Sequence, residues 1–107
     1  MKGIGMNLWE YIHIQKNWSV KTFGPGDRTA GLLDHIKKEL VEIEETQGQD
    51  LEEWIDVIIL ALDGAWRSGN SPLEIITAMI AKQKKNKARQ WPDWRKATDG
   101  KAIEHIR

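Results

Sequence analysis

The 107-residue sequence contains no cysteine, which excludes disulfide scaffolds, zinc ribbons and thiol nucleophiles. No charge of one sign predominates: 16 basic residues balance 16 acidic ones, which argues against a protein that coats nucleic acid or a membrane surface. The longest apolar run, from Val57 to Leu62, is far shorter than the roughly 20 residues of a membrane span. The segment from Met1 to Met6 carries one charge and no sustained apolar stretch, so we expect no signal peptide and a cytoplasmic location.

A chain of this length is expected to form one domain over residues 1–107, with a carboxy-terminal tail from about residue 92. Its apolar residues recur with helical periodicity, and we find no alternating strand pattern. Short connections between four helices predict an all-α, antiparallel four-helix bundle. Caps, glycines and prolines place the helices at about 7–18, 29–46, 50–68 and 71–89, and the tail has at most one helical turn near 102–106.

The third predicted helix is apolar on nearly every side. A helix of this kind is buried on more than one side, and a chain this short cannot cover it alone. We therefore expect a second copy of the chain to cover it, so that homo-oligomerisation completes the fold. The apolar positions are Leu51, Trp54, Ile55, Val57, Ile58, Ile59, Leu60, Leu62 and Trp66.

Acidic side chains share faces on the second and third predicted helices. Glu39 lies at the edge of the apolar stripe of the second helix, and His35 and Glu42 lie just beyond it on the same side. The third helix has one narrow polar strip, made of Glu53, Asp56, Asp63 and Arg67. The expected buried stripe of the second helix consists of Leu32, Ile36, Leu40 and Ile43.

Antiparallel packing of these two helices through the short link at residues 47–49 would bring Glu39 and Glu42 to Glu53 and Asp56. Four like charges repel unless a cation lies between them. Oxygen ligands without cysteine favour Mg²⁺ or Mn²⁺, and the Glu-x-x-His pairs of di-iron bundles do not occur. The sequence therefore predicts a magnesium or manganese site.

Each of these acidic residues also has a simpler interpretation. Glu53 can serve only as the capping-box partner of Asp50 at the start of the third helix. Glu39 and Glu42 can belong to a solvated helix face, which is the commonest fate of charged residues. His35, taken alone, can be a partly buried spacer rather than a ligand.

The net neutrality of the chain hides two segments of opposite charge: residues 34–56 have a balance of minus seven, and residues 82–96 a balance of plus six. This division suits either a folding device or an acidic metal site that faces a basic phosphate site. Lys82, Asn86 and Arg89 share one helical strip and together can hold a polyphosphate. Trp91 and Trp94 follow, and they either stack on a base or pack the tail.

The acidic segments 35–43 and 50–57 resemble the E-x-x-E and E-x-x-D signature of the all-α, MazG-like nucleotide pyrophosphohydrolases. The loop at 22–25 and the closing residues 104–107 resemble one branch, the dATP/dGTP diphosphohydrolases called MazZ in some bacteriophages. The resemblance extends from about Thr22 to the last residue. It also includes Leu62-Asp63-Gly64-Ala65 and the pattern Lys82-x-x-x-Asn86-x-x-Arg89-x-Trp91-Pro92.

The resemblance implies hydrolysis of a deoxynucleoside triphosphate to the monophosphate and pyrophosphate. It implies that Mg²⁺ or Mn²⁺ is held by the four carboxylates and that Glu39 or Glu42 acts as the catalytic base. It also implies that the protein forms a dimer or a tetramer. The residues expected to bind substrate are Lys82, Asn86 and Arg89 for the phosphates, with His35 nearby, and Trp9, Ile12 or Trp18 for the base.

The leading hypothesis is thus a purine-selective pyrophosphohydrolase that shapes the nucleotide pool, as in phages whose genome carries a modified adenine. One alternative is a pyrimidine-directed relative acting on dCTP or dUTP. Another is a non-catalytic helical module whose acidic and basic helices pair between subunits. Binding to nucleic acid is least favoured because the basic segment is short and the net charge is zero.

Overall fold

The computed structural model describes residues 5–107, so part of the segment examined for a signal peptide, residues 1–4, lies outside the described residues. The described chain contains four α-helices and no strand, which confirms the predicted all-α class and helix count. Over the same residues, no helix combines the length and apolarity needed to cross a membrane. The elements are α1 (Leu8–Phe23), α2 (Thr29–Glu45), α3 (Leu51–Arg67), α4 (Pro72–Ala88) and a 3₁₀ turn (Trp94–Lys96).

The chain divides into two compact units, with the boundary inside α4 between Ile76 and Thr77. In the first unit, α3 is the central helix and packs against both α1 and α2. The second unit consists of the rest of α4 and the tail. A single domain over residues 1–107 stays a prediction.

The core of the first unit forms where α1, α3 and the start of α4 meet. Ile12 is fully buried there, and Leu62, Trp66 and Ile75 are nearly so. Partly buried apolar side chains surround them, including Tyr11 from α1 and residues of α3 and α4. This apolar burial joins three segments that are distant in sequence, and it thereby fixes α3, the helix that carries Glu53 and Asp56.

The first helix is longer than the sequence predicts. It begins where the sequence predicts, with Asn7 as its N-cap: Asn7 Oδ1 accepts a hydrogen bond from the Glu10 amide (2.9 Å). It ends at Phe23 rather than near residue 18, because Gly24 (φ 89°) is the first residue that leaves the helix, and its amide donates to the Val20 carbonyl (3.0 Å). The extra turn places Trp18 and Phe23 on the same helix.

Capping differs between α3 and α4. At α4 the predicted capping box forms in both directions: Ser71 Oγ accepts from the Glu74 amide (3.1 Å), and Glu74 Oε1 accepts from the Ser71 amide (3.0 Å). At α3, Asp50 accepts from the Glu52 amide (3.0 Å), so the expected capping box with Glu53 does not form. The Glu53 carboxyl is therefore free to turn toward α2.

The buried stripe of α2 departs from the expected one. Leu32 and Ile43 are buried as predicted, whereas Leu40 is exposed and Glu39 takes its place on the buried side. The reason is that α3 covers the face that carries residues 32, 39 and 43, and the side chains at 36 and 40 lie to one side of that contact. The prediction of Leu40 as a core residue is wrong for the single chain.

A broad apolar surface remains on α2 and α3 of the first unit. On α3 the exposed apolar side chains include Leu51, Trp54, Ile55 and Ile58, as expected for a helix that one copy cannot cover. On α2, Leu40 and Val41 are exposed as well. Homo-oligomerisation stays a prediction.

The tail of the second unit contains its helical turn earlier than predicted. The turn lies at Trp94–Lys96, where Asp93 Oδ1 accepts from the Arg95 amide (3.0 Å). Residues 102–107, where at most one turn is expected, are not helical. Instead, the Ile106 amide donates to the Gln90 carbonyl (2.8 Å), which ties the end of the chain to the residues that follow α4.

Candidate active site

Three carboxylates from two helices converge in the first unit. Glu39 of α2 and Glu53 and Asp56 of α3 each contribute an oxygen to one cluster, and these atoms all lie within 4.8 Å of one another. Glu39 is buried, with 7 % of its surface exposed, and the other two are half-buried. Three of the four predicted metal ligands are thus adjacent; we call them the acidic trio.

The connection between α2 and α3 is what brings the trio together. Its residues Gln47 (φ 55°) and Gly48 (φ 71°) both adopt the left-handed conformation that reverses the chain within five residues, 46–50. The Gly48 amide donates to the Ile43 carbonyl (2.9 Å), and the Trp54 indole donates to the Gly48 carbonyl (3.1 Å). This tight turn sets α3 antiparallel to α2 in the register that pairs residue 39 with 53 and 56.

The fourth predicted ligand, Glu42, is exposed and lies outside the trio. It still acts on the cluster: a hydrogen bond with Glu42, together with burial and the contact with Glu39, raises the pKa of Glu53 to about 7. Burial, reinforced by Glu42, also raises the pKa of Glu39 above its ordinary value. Simultaneous ionisation of these carboxylates is therefore unfavourable.

Two oxygen atoms of the trio are left without a hydrogen-bond partner within residues 5–107. Oε2 of Glu39 and Oε2 of Glu53 are buried and have no hydrogen-bond partner among the residues described. Leaving a buried acceptor unpaired costs roughly 1–3 kcal/mol, so such atoms call for a ligand. An all-oxygen set with two buried, unpaired acceptors fits a hard divalent cation, and the cluster can therefore bind a metal.

His35 lies one turn before Glu39 and contacts it. Its Nε2 is 3.1 Å from Oε1 of Glu39, and about half of the imidazole is exposed. One oxygen of Glu39 is thus turned toward His35, which leaves the other, unpaired oxygen for the trio. His35 orients a carboxylate of the site, and it also lines the neighbouring cavity.

A cavity of about 290 Å³ adjoins the acidic trio in the first unit. Glu39 and Asp56 belong to its wall, so a ligand in the cavity reaches the trio directly. Trp18 and Phe23 form an aromatic part of the wall, with their rings edge to face and 5.5 Å between centroids. The remaining lining residues are Gln15, Arg28, Leu32, His35, Ile59, Leu60 and Asp63.

A buried polar network borders this cavity, and sequence reasoning did not assign it to the site. Asp63 is 4 % exposed, and its carboxylate accepts hydrogen bonds from Gln15 Nε2 (3.0 Å), Ser19 Oγ and Arg67 Nε. Gln15 in turn accepts from the Trp66 indole (2.8 Å). The available signal was the polar spacing at 15 and 19 on α1 and at 63 and 67 on α3, each one turn apart.

Arg67 extends this network to the loop between α1 and α2. Its guanidinium donates to the Gly24 carbonyl (2.8 Å), to the Gly26 carbonyl (3.0 Å) and to Ser19 Oγ (3.0 Å). The side chain is almost wholly buried. A fork of fixed donors suits this task, and it holds in place the loop that leads from Phe23 to Arg28, both of which line the cavity.

The residues predicted to meet the base lie in different environments. Trp9 is half-exposed and packs against His13 (ring centroids 4.3 Å apart), and Ile12 is fully buried in the core. Neither of these two lines the cavity, whereas Trp18 does. The structure therefore places Trp18, but not Trp9 or Ile12, on the wall of the cavity that adjoins the trio.

The predicted phosphate-binding residues lie in the second unit. Arg89 NH1 donates to Asn86 Oδ1 (3.0 Å), and Lys82 is exposed. The Trp91 indole donates to the Asn86 carbonyl (2.8 Å), and its ring packs edge to face on His105 (5.8 Å between centroids). Trp91 thus packs against the tail. The phosphate-binding role of these basic and amide side chains stays a prediction.

Residues 11–107 match the model of the family described as dATP/dGTP pyrophosphohydrolase. The chain belongs to this family. The match confirms the predicted branch of the MazG-like enzymes, and dATP/dGTP pyrophosphohydrolases are nucleoside triphosphate diphosphatases, as the sequence predicts. No curated protein and no solved structure gives a significant match to the chain.

Proposed function

We propose that this pyrophosphohydrolase cleaves dGTP and dATP at the acidic trio in a reaction that depends on Mg²⁺ or Mn²⁺. The observation that carries this proposal is the convergence of Glu39, Glu53 and Asp56 beside a cavity with aromatic walls. Family membership supports the purine deoxynucleotide as substrate. The cleaved bond joins the α- and β-phosphoryl groups, because the products are the monophosphate and pyrophosphate.

The trio would hold the cation, with Glu42 able to join from the exposed side. The metal would neutralise phosphate charge and lower the pKa of a bound water, which makes that water a nucleophile at neutral pH. The two unpaired buried oxygens support this assignment, because a cation held by these carboxylates would offset both the desolvation penalty and the repulsion. Carboxylate oxygens suit Mg²⁺ and Mn²⁺ equally, so either ion is consistent with the ligand set.

Glu42 is the better candidate for the catalytic base. One oxygen of Glu39 faces His35, and the other, which has no partner among the described residues, would be taken up by the cation. Glu42 is exposed and lies beside Glu53, where it can take the proton of the attacking water. The water oxygen then forms a bond to the α-phosphorus, the proton resides on Glu42, and pyrophosphate leaves with the electrons of the broken phosphorus–oxygen bond.

Three further assignments belong to the same proposal. Lys82, Asn86 and Arg89 hold the phosphates, since a point charge, an amide and a fork of donors suit a polyphosphate. A second copy covers the apolar surface of α2 and α3, which gives a dimer or a tetramer. The activity lowers the dGTP and dATP pools, which would serve a phage whose genome carries a modified adenine.

The deciding experiment measures pyrophosphate release from the eight common NTPs and dNTPs with Mg²⁺, with Mn²⁺ and with chelator. We expect turnover of dGTP and dATP that requires the metal and is lost in Asp56→Asn. The matched control is Asp34→Asn on the exposed face of α2, where the carboxylate pairs with Lys38 (3.3 Å). Preferred turnover of dCTP or dUTP would move the enzyme to the pyrimidine-directed alternative, and no turnover at all would favour the non-catalytic helical module.

A further inference from the structure

One face of α2 and the residue that precedes the helix form a continuous wall of the cavity. Arg28, Leu32, His35 and Glu39 follow one another at spacings of four, three and four residues, and all four line the cavity. At a rise of about 1.5 Å per residue, Arg28 lies about 16 Å from Glu39 along the helix axis. The acidic trio is therefore at one end of this wall, and Arg28 is at the other.

The guanidinium of Arg28 has no fixed polar partner. Its centre lies 5.1 Å from the centroid of the Phe23 ring, a cation–π arrangement. Within residues 5–107 no hydrogen bond or ion pair of the Arg28 side chain is found, in contrast to the fully engaged Arg67. A planar fork of donors, held against an aromatic ring and turned toward a cavity, is available for a ligand.

The order of groups along the wall sets the orientation of a nucleotide. If the phosphates meet the cation at the trio, as proposed above, the sugar lies near His35 and the base lies toward Arg28. Trp18 and Phe23 then provide an apolar surface for the base, and Arg28 lies at its edge. Each group of the substrate would thus meet a chemically suitable part of the wall.

We propose that Arg28 recognises the purine through its N7 atom, and through O6 as well when the base is guanine. This inference rests on the proposed function, since it requires the phosphates at the trio. Arginine donates in bidentate fashion to O6 and N7 of guanine, whereas adenine offers N7 alone, because its 6-amino group is a donor. Pyrimidines have no N7. Arg28 therefore favours purines over pyrimidines, and dGTP over dATP.

The test compares dGTP with 7-deaza-dGTP, which lacks N7, in the unaltered protein and in Arg28→Met. We expect replacement of N7 to lower kcat/KM about 5- to 100-fold in the unaltered protein, chiefly through KM, because one good base contact has that value. In Arg28→Met the values of kcat/KM for dGTP and 7-deaza-dGTP should be equal. The matched control is Arg95→Met, because Arg95 also lies over an aromatic ring, that of Trp94 (5.6 Å), but does not line the cavity.

A second variant predicts a change of preference rather than a loss. Glutamine pairs in bidentate fashion with N6 and N7 of adenine, so Arg28→Gln should raise the ratio of dATP to dGTP turnover severalfold. This gain cannot result from poor folding. If Arg28→Met lowered kcat/KM by the same factor for dGTP, 7-deaza-dGTP and dTTP, the inference would be overturned, because Arg28 would then contact phosphate rather than base.

Binding of dGMP and 7-deaza-dGMP, followed by tryptophan fluorescence, separates this inference from the proposed function. Preference for dGMP that disappears in Arg28→Met supports the inference even if no nucleotide is hydrolysed. Hydrolysis of dGTP with no difference between the two bases, in turnover and in binding, refutes the inference and leaves the proposed function standing.

Discussion

Two carboxylates of α3, Asp56 and Asp63, lie about two turns apart and border the same cavity, yet their surroundings are opposite. Asp63 accepts from an amide, a hydroxyl and a guanidinium, so its buried charge is paired. Asp56 adjoins other carboxylates, two of which have buried oxygens with no hydrogen-bond partner in the described part of the chain. A buried carboxylate whose hydrogen-bond donors all come from the chain has a structural role. A cluster of carboxylates with unpaired oxygens instead indicates a site for an external ligand such as a cation.

The largest expected effect is a loss of activity when a carboxylate of the acidic trio is neutralised. Glu53→Gln should lower pyrophosphate release by roughly 1000-fold, because a metal ligand is lost and metal catalysis contributes several kcal/mol. The same change should stabilise the metal-free protein, since it removes one of the mutually repelling charges. Steady-state assays and thermal melting with chelator measure both.

Its matched control is Glu52→Gln, which alters the adjacent, exposed residue in the same first turn of α3. The control should keep both activity and melting temperature. If Glu53→Gln retained activity, Glu53 would not be a metal ligand. The proposed distinction between a metal-binding cluster and the paired carboxylate of Asp63 would then be wrong.

The next effect concerns stability. Asp63→Asn should destabilise the fold by about 3–5 kcal/mol, because it leaves the buried guanidinium of Arg67 without its counter-charge. Urea unfolding measures the change. Lys38→Met is the control: it breaks an ion pair that also spans one helical turn, between Lys38 and Asp34, but that pair is exposed and should contribute less than about 1 kcal/mol. Comparable losses in both variants would mean that Asp63 is not structurally special.

The smallest effect is a pH dependence of the metal-free protein. The pKa of Glu53 is raised in the folded state to about 7 from an ordinary value of 4.5, so between these values the folded chain binds more protons than the unfolded chain. Stability should therefore fall as pH rises from about 5 to 8 in chelator. Adding Mg²⁺ or Mn²⁺ should restore more stability at pH 8 than at pH 5, because the metal binds the deprotonated carboxylates. If the free energy of unfolding depended on pH in the same way in Glu53→Gln as in the unaltered protein, the raised pKa of Glu53 would not be the cause.

Local chemistry accounts for what could be predicted from the sequence. Helical periodicity predicted the four helices, and the Ser71 to Glu74 capping box formed because its donors and acceptors are neighbours in the chain. The spacing of acids on α2 and α3 predicted a cluster, and three members of it met because a short, left-handed turn joins the two helices. The family resemblance was carried by the same acidic residues, and the family match confirms it.

Predictions from the sequence were wrong where a helix distant in the chain determined which face of another helix is buried. Leu40 and Glu39 are adjacent, and the position of α3 on α2 determined that the acid, rather than the leucine, is buried. Packing against α3 and α4 buries Ile12 and leaves Trp18 on the cavity wall, and the base-binding role of these residues stays a prediction. Periodicity orders the residues around one helix, and it contains no information about which side the next helix will cover.

The sequence by itself determined the all-α class, the positions of the helices to within about five residues, and the acids that can bind a cation, because each depends on neighbours in the chain. Only the tertiary structure decided that Asp63 and Arg67 lock the loop after α1, that Glu42 lies outside the acidic trio, and that Arg28 faces the cavity. Those outcomes depend on burial and on partners about 10 to 50 residues away, and desolvation and hydrogen bonding act only once packing has brought the groups together.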